Sequence, residues 1–126
     1  MTEEKKLPLE LVPPAIEGNA LAVRLAIPED LFWFRGHFPV FPIVPGVALL
    51  SWVVHYVGSL APGAALREAE QIKFMKPLRP GERVELRLSV QEALEGIRVR
   101  FEIALPADQG GSICSKGRLL LCQKKN

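Results

Sequence analysis

The sequence predicts an α+β domain in which one long apolar helix is wrapped by a single curved antiparallel sheet, and three observations carry that prediction. Val84, Leu86, Leu88 and Val90 alternate with Glu85, Arg87 and Ser89, and Ile97, Val99, Phe101 and Ile103 alternate with Arg98, Arg100 and Glu102, so the two segments form a hairpin across Glu92 to Gly96. The run from Gly46 to Leu60 is almost wholly apolar, which in a helix asks for protein on both faces. No crossover helix separates a pair of strands, so the sheet is antiparallel. With 126 residues, 48% of them hydrophobic, the chain reads as one domain over residues 1–126. A domain of that length buries roughly two thirds of its unfolded surface.

Taken in order, residues 1–19 hold Pro8, Pro13, Pro14 and Gly18 with no sustained period and read as an arm or loop. Leu21, Val23, Leu25 and Ile27 alternate with Ala22, Arg24 and Ala26, a strand with one buried face that Pro28 ends. Glu29 and Asp30 begin a turn or short helix, continued by Leu31 to Phe34. A loop locked by Pro39, Pro42 and Pro45 follows, whose rings fix φ and hold His37 in a stiff wall. The helix stops near Gly58, before Pro62 and Gly63. Residues 70–76 form a strand, Pro77, Pro80 and Gly81 a turn, Pro106 to Gly111 another, and Ile113 to Cys122 the last strand before a polar tail. Such a sheet leaves an edge, and pairing it in a dimer is one usual remedy.

A net charge of +2 with most aromatics between Phe32 and Tyr56, away from the basic C-terminal half, argues against nucleic-acid binding. The N-terminus has no apolar signal core, and the helix is too short and proline-flanked to span a bilayer, so neither secretion nor membrane insertion is expected. Cys114 and Cys122, eight apart in one strand, would share a face and lie too far apart to bridge; they read as reduced core residues of a cytoplasmic protein. Two histidines and two distant cysteines make no zinc pattern, and no cofactor is indicated.

Gly36-His37-Phe38-Pro39 followed by Pro42-Ile43-Val44-Pro45-Gly46-Val47 closely resembles the signature of the FabZ and FabA type 3-hydroxyacyl-acyl-carrier-protein dehydratases, which have the hotdog fold. The fuller form from Phe34 to Trp52 is most similar to their relatives in aryl-polyene and related pigment clusters. Ile72 to Glu82 resembles the family's second strand and following turn. The resemblance implies that His37 removes the α-proton of a 3-hydroxyacyl thioester, a role suited to an imidazole that is largely neutral at cytosolic pH. It implies that the Gly46 amide binds the thioester carbonyl, and that Phe38, Val47 and Trp52 contact substrate. Residues 43–46 offer no Ser, Thr, Asp or Asn, so no side chain caps the first-turn amides, which leaves them free to stabilise an enolate oxygen.

One departure bears on mechanism. Where the family carries a helix carboxylate, contributed by the opposite subunit, this chain has Ser51, a hydroxyl too weak an acid to replace it. Three readings stand. His55, one turn beyond Ser51 where the family usually has glutamine, substitutes as the acid; a related subunit supplies the carboxylate in a heterodimer; or catalysis is lost and an acyl-binding or scaffold module remains. A hotdog thioesterase would need a carboxylate near the helix, and Gly46 to Leu60 has none. The hydratase relatives have an Asp five before their His, where Phe32 stands here. A Ser51–His55 dyad lacks a third group to orient its base. The substrate implied is an acyl carrier protein or coenzyme A thioester, and the assembly a homodimer or a heterodimer with a related subunit. Lys73, Lys76, Arg79, Arg83 and Arg35 would form a basic rim for an acidic carrier protein, or an ordinary solvated face. Phe32, Trp33, Phe41, Trp52 and Tyr56 would line an acyl tunnel or fill the core.

Overall fold

A computed structural model describes residues 7–30 and 44–123 of the chain. In order these form β1 (Leu9–Glu10), β2 (Ala15–Glu17), β3 (Ala20–Ala26), α1 (Gly46–Val57), β4 (Ala64–Phe74), β5 (Arg83–Ala93), β6 (Gly96–Ala104), a 3-10 turn (Ala107–Gln109) and β7 (Ile113–Gln123). The strands make one antiparallel sheet of seven, in the order β1-β3-β5-β6-β7-β4 with β2 also on β3. The expected strand and hairpin are there. Register aligns their buried residues: Val23 pairs with Leu86 and Leu86 with Ile103, so one apolar row crosses the sheet beneath the helix.

The hairpin closes on the Ala93–Gly96 pair, leaving Leu94 and Glu95 as a two-residue turn. Gly96 sits at φ +143°, and a Cβ there would run into the Leu121 carbonyl of β7. Two constraints therefore select glycine at that corner.

Helix α1 is rich in valine, which loses χ1 freedom in a helix, so its stability rests on burial more than on propensity. Ala48, Leu49, Trp52, Val53, Tyr56 and Val57 supply that burial, recurring at helical spacing against the sheet. Trp52 is 1% exposed, a side chain whose truncation typically costs about 3–5 kcal/mol. After Gly58 the backbone continues in turns, with Leu60 and Ala61 amides donating to Val57, until Pro62 and Gly63 at φ +81° redirect it.

Four expectations are corrected. The arm over 1–19 contains two short strands, β1 and β2, which extend the sheet at the β3 edge. Strand β4 begins at Ala64, not at residue 70: bulges between Leu66 and Glu68 and between Glu70 and Lys73, the second with Gln71 at φ +52°, break the alternation by which a strand is read. Cys114 is buried but Cys122 is exposed, because a bulge opposite the Ile103–Ala104 step, where β6 residues pair with Ser115 and then Ile113, skips Cys114 and turns it inward. Burial raises the Cys114 thiol above its ordinary range, the character of an unreactive core thiol. Finally, the described residues of the single chain cover one face of α1, and the other face carries the exposed Val47, Ser51 and His55.

Candidate active site

The site is built on the N-terminus and outer face of α1. The Val44 amide donates to the Leu78 carbonyl at 2.8 Å, tying the helix entry to the turn before β5. Pro45 is the N-cap, in extended conformation, with no side-chain capping bond and no acidic residue in the first turn. Ala48 and Leu49 amides turn back to the Pro45 carbonyl at 3.0 and 3.3 Å. The positive end of the helix dipole is thus left without a neutralising carboxylate from the helix itself, which suits it to a developing oxyanion. Gly46 lies under the ring of Phe74 from β4: a Cβ on Gly46 would stand 2.6 Å from the ring's Cζ. Backbone and ring meet at that point because glycine has no side chain.

Along the helix, Val47, Ser51 and His55 recur every fourth residue and form an exposed stripe, with Val47 65% exposed. The sequence places Ser51 and His55 on one face, and the structure brings them together there. The Ser51 hydroxyl donates to the Ala48 carbonyl at 2.7 Å, a local bond back into its own helix. His55 stands edge-on to the Tyr56 ring, centroids 5.0 Å apart. Trp52, in contrast, points into the core. Tyr56 is also buried, and its hydroxyl donates to the Glu10 carboxylate of β1 at 2.7 Å. Burial, followed by the adjoining carboxylate, pushes the phenol well above its usual range. This link between arm and helix has no local signal in the sequence, since 46 positions separate the two residues.

Lys73, Lys76, Arg79 and Arg83 are all exposed, spread from the end of β4 through the following turn to the start of β5. The turn is fixed by Met75 and Lys76 amides donating to the Cys114 carbonyl and by the Arg79 amide donating to the Glu82 carboxylate. His37, Phe38, Arg35, Phe32, Trp33 and Phe41 lie outside the described residues.

Strand β4 is the end strand of the sheet, paired only with β7 among the described residues, and it adjoins the uncovered stripe through Phe74 and Gly46. One helix laid on a seven-stranded antiparallel sheet is the hotdog fold. Residues 14–118 match the family model described as ApeI-like, ApeI dehydratase, and the chain belongs to that family. A solved structure, the dehydratase heterocomplex ApeI:P from Xenorhabdus doucetiae, superposes with a TM-score of 0.77 at 34% identity, covering 93% of this chain and 99% of that one. A protein from Erwinia carotovora subsp. atroseptica gives a TM-score of 0.75 at 33% identity, covering 93% and 97%. Among curated relatives, the 3-hydroxyacyl-[acyl-carrier-protein] dehydratase FabZ of Teredinibacter turnerae is 30% identical, covering 72% of this chain and 70% of its own length. The FabZ of Sorangium cellulosum is 29% identical over 70% of this chain, and the match spans 61% of that relative. Among the described residues, no helix is long and apolar enough to cross a membrane.

Proposed function

We propose that this chain contributes one half of a composite 3-hydroxyacyl thioester dehydratase, with a related subunit supplying the carboxylic acid that Ser51 replaces. The observation that carries the reading is the stripe of Val47, Ser51 and His55, exposed beside the open β4 edge, with a hydroxyl already committed to the Ala48 carbonyl where the chemistry needs an acid. A second hotdog chain docked on that edge would lay its own helix against this stripe. The similarity to one member of a dehydratase heterocomplex supports the same arrangement.

In this reading His37 takes the α-proton of an acyl-carrier-protein-linked 3-hydroxyacyl chain. The enolate oxygen is held at the Gly46 amide on the uncapped helix terminus, and the departing hydroxyl takes a proton from the partner's carboxylic acid. Phe38 and Val47 border the acyl chain, and Trp52 backs the wall from the core. The exposed Lys73, Lys76, Arg79 and Arg83 steer an acidic carrier protein toward the entrance, an effect that weakens as salt rises. The product class is an enoyl thioester of the fatty-acid or polyene type.

A second reading has its own observation: His55 lies on the same exposed stripe one turn beyond Ser51, and in this reading it serves as the acid within a homodimer. One experiment separates them. Hydration of an enoyl thioester is measured with the purified chain alone, with a related dehydratase subunit of the same organism, and with His37→Ala and His55→Ala variants. Activity that appears only with the added subunit and vanishes in His37→Ala fits the composite site. Activity of the chain alone that vanishes in both variants fits His55 as the acid. No activity in any mixture sinks both and leaves an acyl-binding scaffold.

A further inference from the structure

The face of the sheet turned away from α1 carries an unexplained concentration of positive charge. Cα pairing places Arg87 against Glu102, Glu102 against Lys116 and Lys116 against Lys73, and in the next row Ser89 against Arg100, Arg100 directly against Arg118 and Arg118 against Glu70. Glu102 is taken by Arg87 at 3.0 Å. Among the described residues, neither Arg100 nor Arg118 has a carboxylate oxygen within 4.0 Å. Like charges directly opposite one another weaken a sheet, and other arginines here face a glutamate, as Arg24 does Glu85. Arg118 has Glu70 as its register partner on β4, but no ion pair within 4.0 Å joins them, and Arg100 faces Ser89 on its other side.

These exposed cations line one shallow groove. The groove, of about 1170 Å³, runs across this part of the sheet from β2 to β4, lined by Arg87, Arg100, Arg118, Lys116 and Lys73 at one end. At the other end it is lined by Ala15, Ile16, Ala20 and Ala22, and the carboxylates of Glu17 and Glu102 also border it, fewer than the five cations. Arg98, Arg100 and Arg118 also line an adjoining pocket of about 180 Å³, with Asn19, Gln91 and the carboxylates of Glu70 and Glu95, so its cations outnumber its anions by one. That pocket has room for a phosphate group but not for a protein helix about 10 Å across. The groove as a whole is near the upper end of small-ligand sites. Two guanidinium groups on neighbouring strands, with Cα atoms some 5 Å apart, can fork onto one dianion, and a dianion between them removes their mutual repulsion.

We infer that this groove is a second binding site, distinct from the helix-face site, for a soluble phosphate ester: its phosphate or diphosphate lies between Arg100 and Arg118 and its less polar body over Ala20 and Ala22. The site does not depend on the proposed dehydratase chemistry, because Arg100 and Arg118 lie on the opposite face of the sheet; Lys73 alone is common to the groove and to the basic rim.

Titration calorimetry on the full chain with inorganic pyrophosphate and with ADP tests this, beside Arg100→Gln/Arg118→Gln and an Arg24→Gln control outside the groove. The expected result is saturable binding of both, tighter for ADP, weakened about tenfold or more in the double variant and unchanged in the control. Thermal melts give the second readout: pyrophosphate raises the midpoint of the parent chain but not of the double variant, which without ligand melts no lower than the parent. Absence of binding, equal binding by the double variant, or binding seen only with anionic lipid vesicles or an acidic carrier protein would each overturn the assignment.

Discussion

Replacing Ser51 by glutamate puts the missing acid back on the exposed stripe, and the structure sets both its cost and its gain. Ser51 lies five residues past Gly46, about 7.5 Å further along the helix axis, so a carboxyl there faces whatever occupies the oxyanion end of the helix. Its side chain is exposed, so the larger residue meets no packed neighbour in the free chain. The only hydrogen bond lost among the described residues is the bond back to Ala48, and glutamate is the better helix former. Stability should stay within about 0.5 kcal/mol. A positioned general acid contributes about 10²–10⁴ in rate, or roughly 3–5 kcal/mol of barrier. The homodimer of Ser51→Glu, unlike the parent chain, should therefore hydrate an enoyl thioester at a rate raised by that factor. Ser51→Gln, of the same size but without an acid, should show no gain, and His37→Ala should abolish it. A folded, dimeric Ser51→Glu no faster than Ser51→Gln would refute the view that the helix carboxylate is what this chain lacks.

Other substitutions probe the frame. Gly46→Ala drives a methyl toward the Phe74 ring, which is 54% exposed and free to swing aside; stability should fall by no more than about 1 kcal/mol while thioester turnover in the completed enzyme collapses. Gly96→Ala combines a positive φ with a collision on the Leu121 carbonyl and should destabilise the chain by about 2–4 kcal/mol in chemical denaturation, with the hairpin loosened. Tyr56→Phe removes the bond to Glu10 and should cost about 1 kcal/mol. The folded-state phenol is raised above its unfolded value, so its contribution is complete below about pH 10 and is lost as pH climbs through the folded value. Tyr56 is the sole tyrosine, so phenolate absorbance follows that loss directly, and Tyr56→Phe should shed this alkaline component of unfolding.

The hairpin, the helix and its stop were legible because each is a local pattern: two runs of period two, a run of apolar residues, and Pro-Gly punctuation after Gly58. The same rule explains what was missed. In β4 two bulges scramble the alternation, and in β7 one bulge turns Cys114 inward while Cys122 keeps the regular parity and faces out. Strands β1 and β2 exist only because β3 offers an edge, so nothing within Leu9–Glu10 or Ala15–Glu17 announces them. For the site, counting along the helix sufficed to put Val47, Ser51 and His55 on one face. The expectation that both faces of the helix would be covered failed within the single chain, since an apolar run does not say whose protein does the covering. The Glu10–Tyr56 bond and the Arg100–Arg118 pair depend on register between distant segments and had no signal of their own.

The bare helix stripe and the open β4 edge also make this chain's solution behaviour a matter of stoichiometry. An eleven-residue strand edge with no partner among the described residues is a template for any other strand, and Arg67, Glu68, Glu70, Lys73 and the two bulges blunt it. Whatever specifically covers edge and stripe adds RT ln(1 + [L]/Kd) to the free energy of unfolding, so the melting point should climb with the concentration of that species. On the proposed composite reading, a chain produced in excess of its partner subunit competes with itself for the same surface. Balanced synthesis of the two would then be as much a folding requirement as a catalytic one.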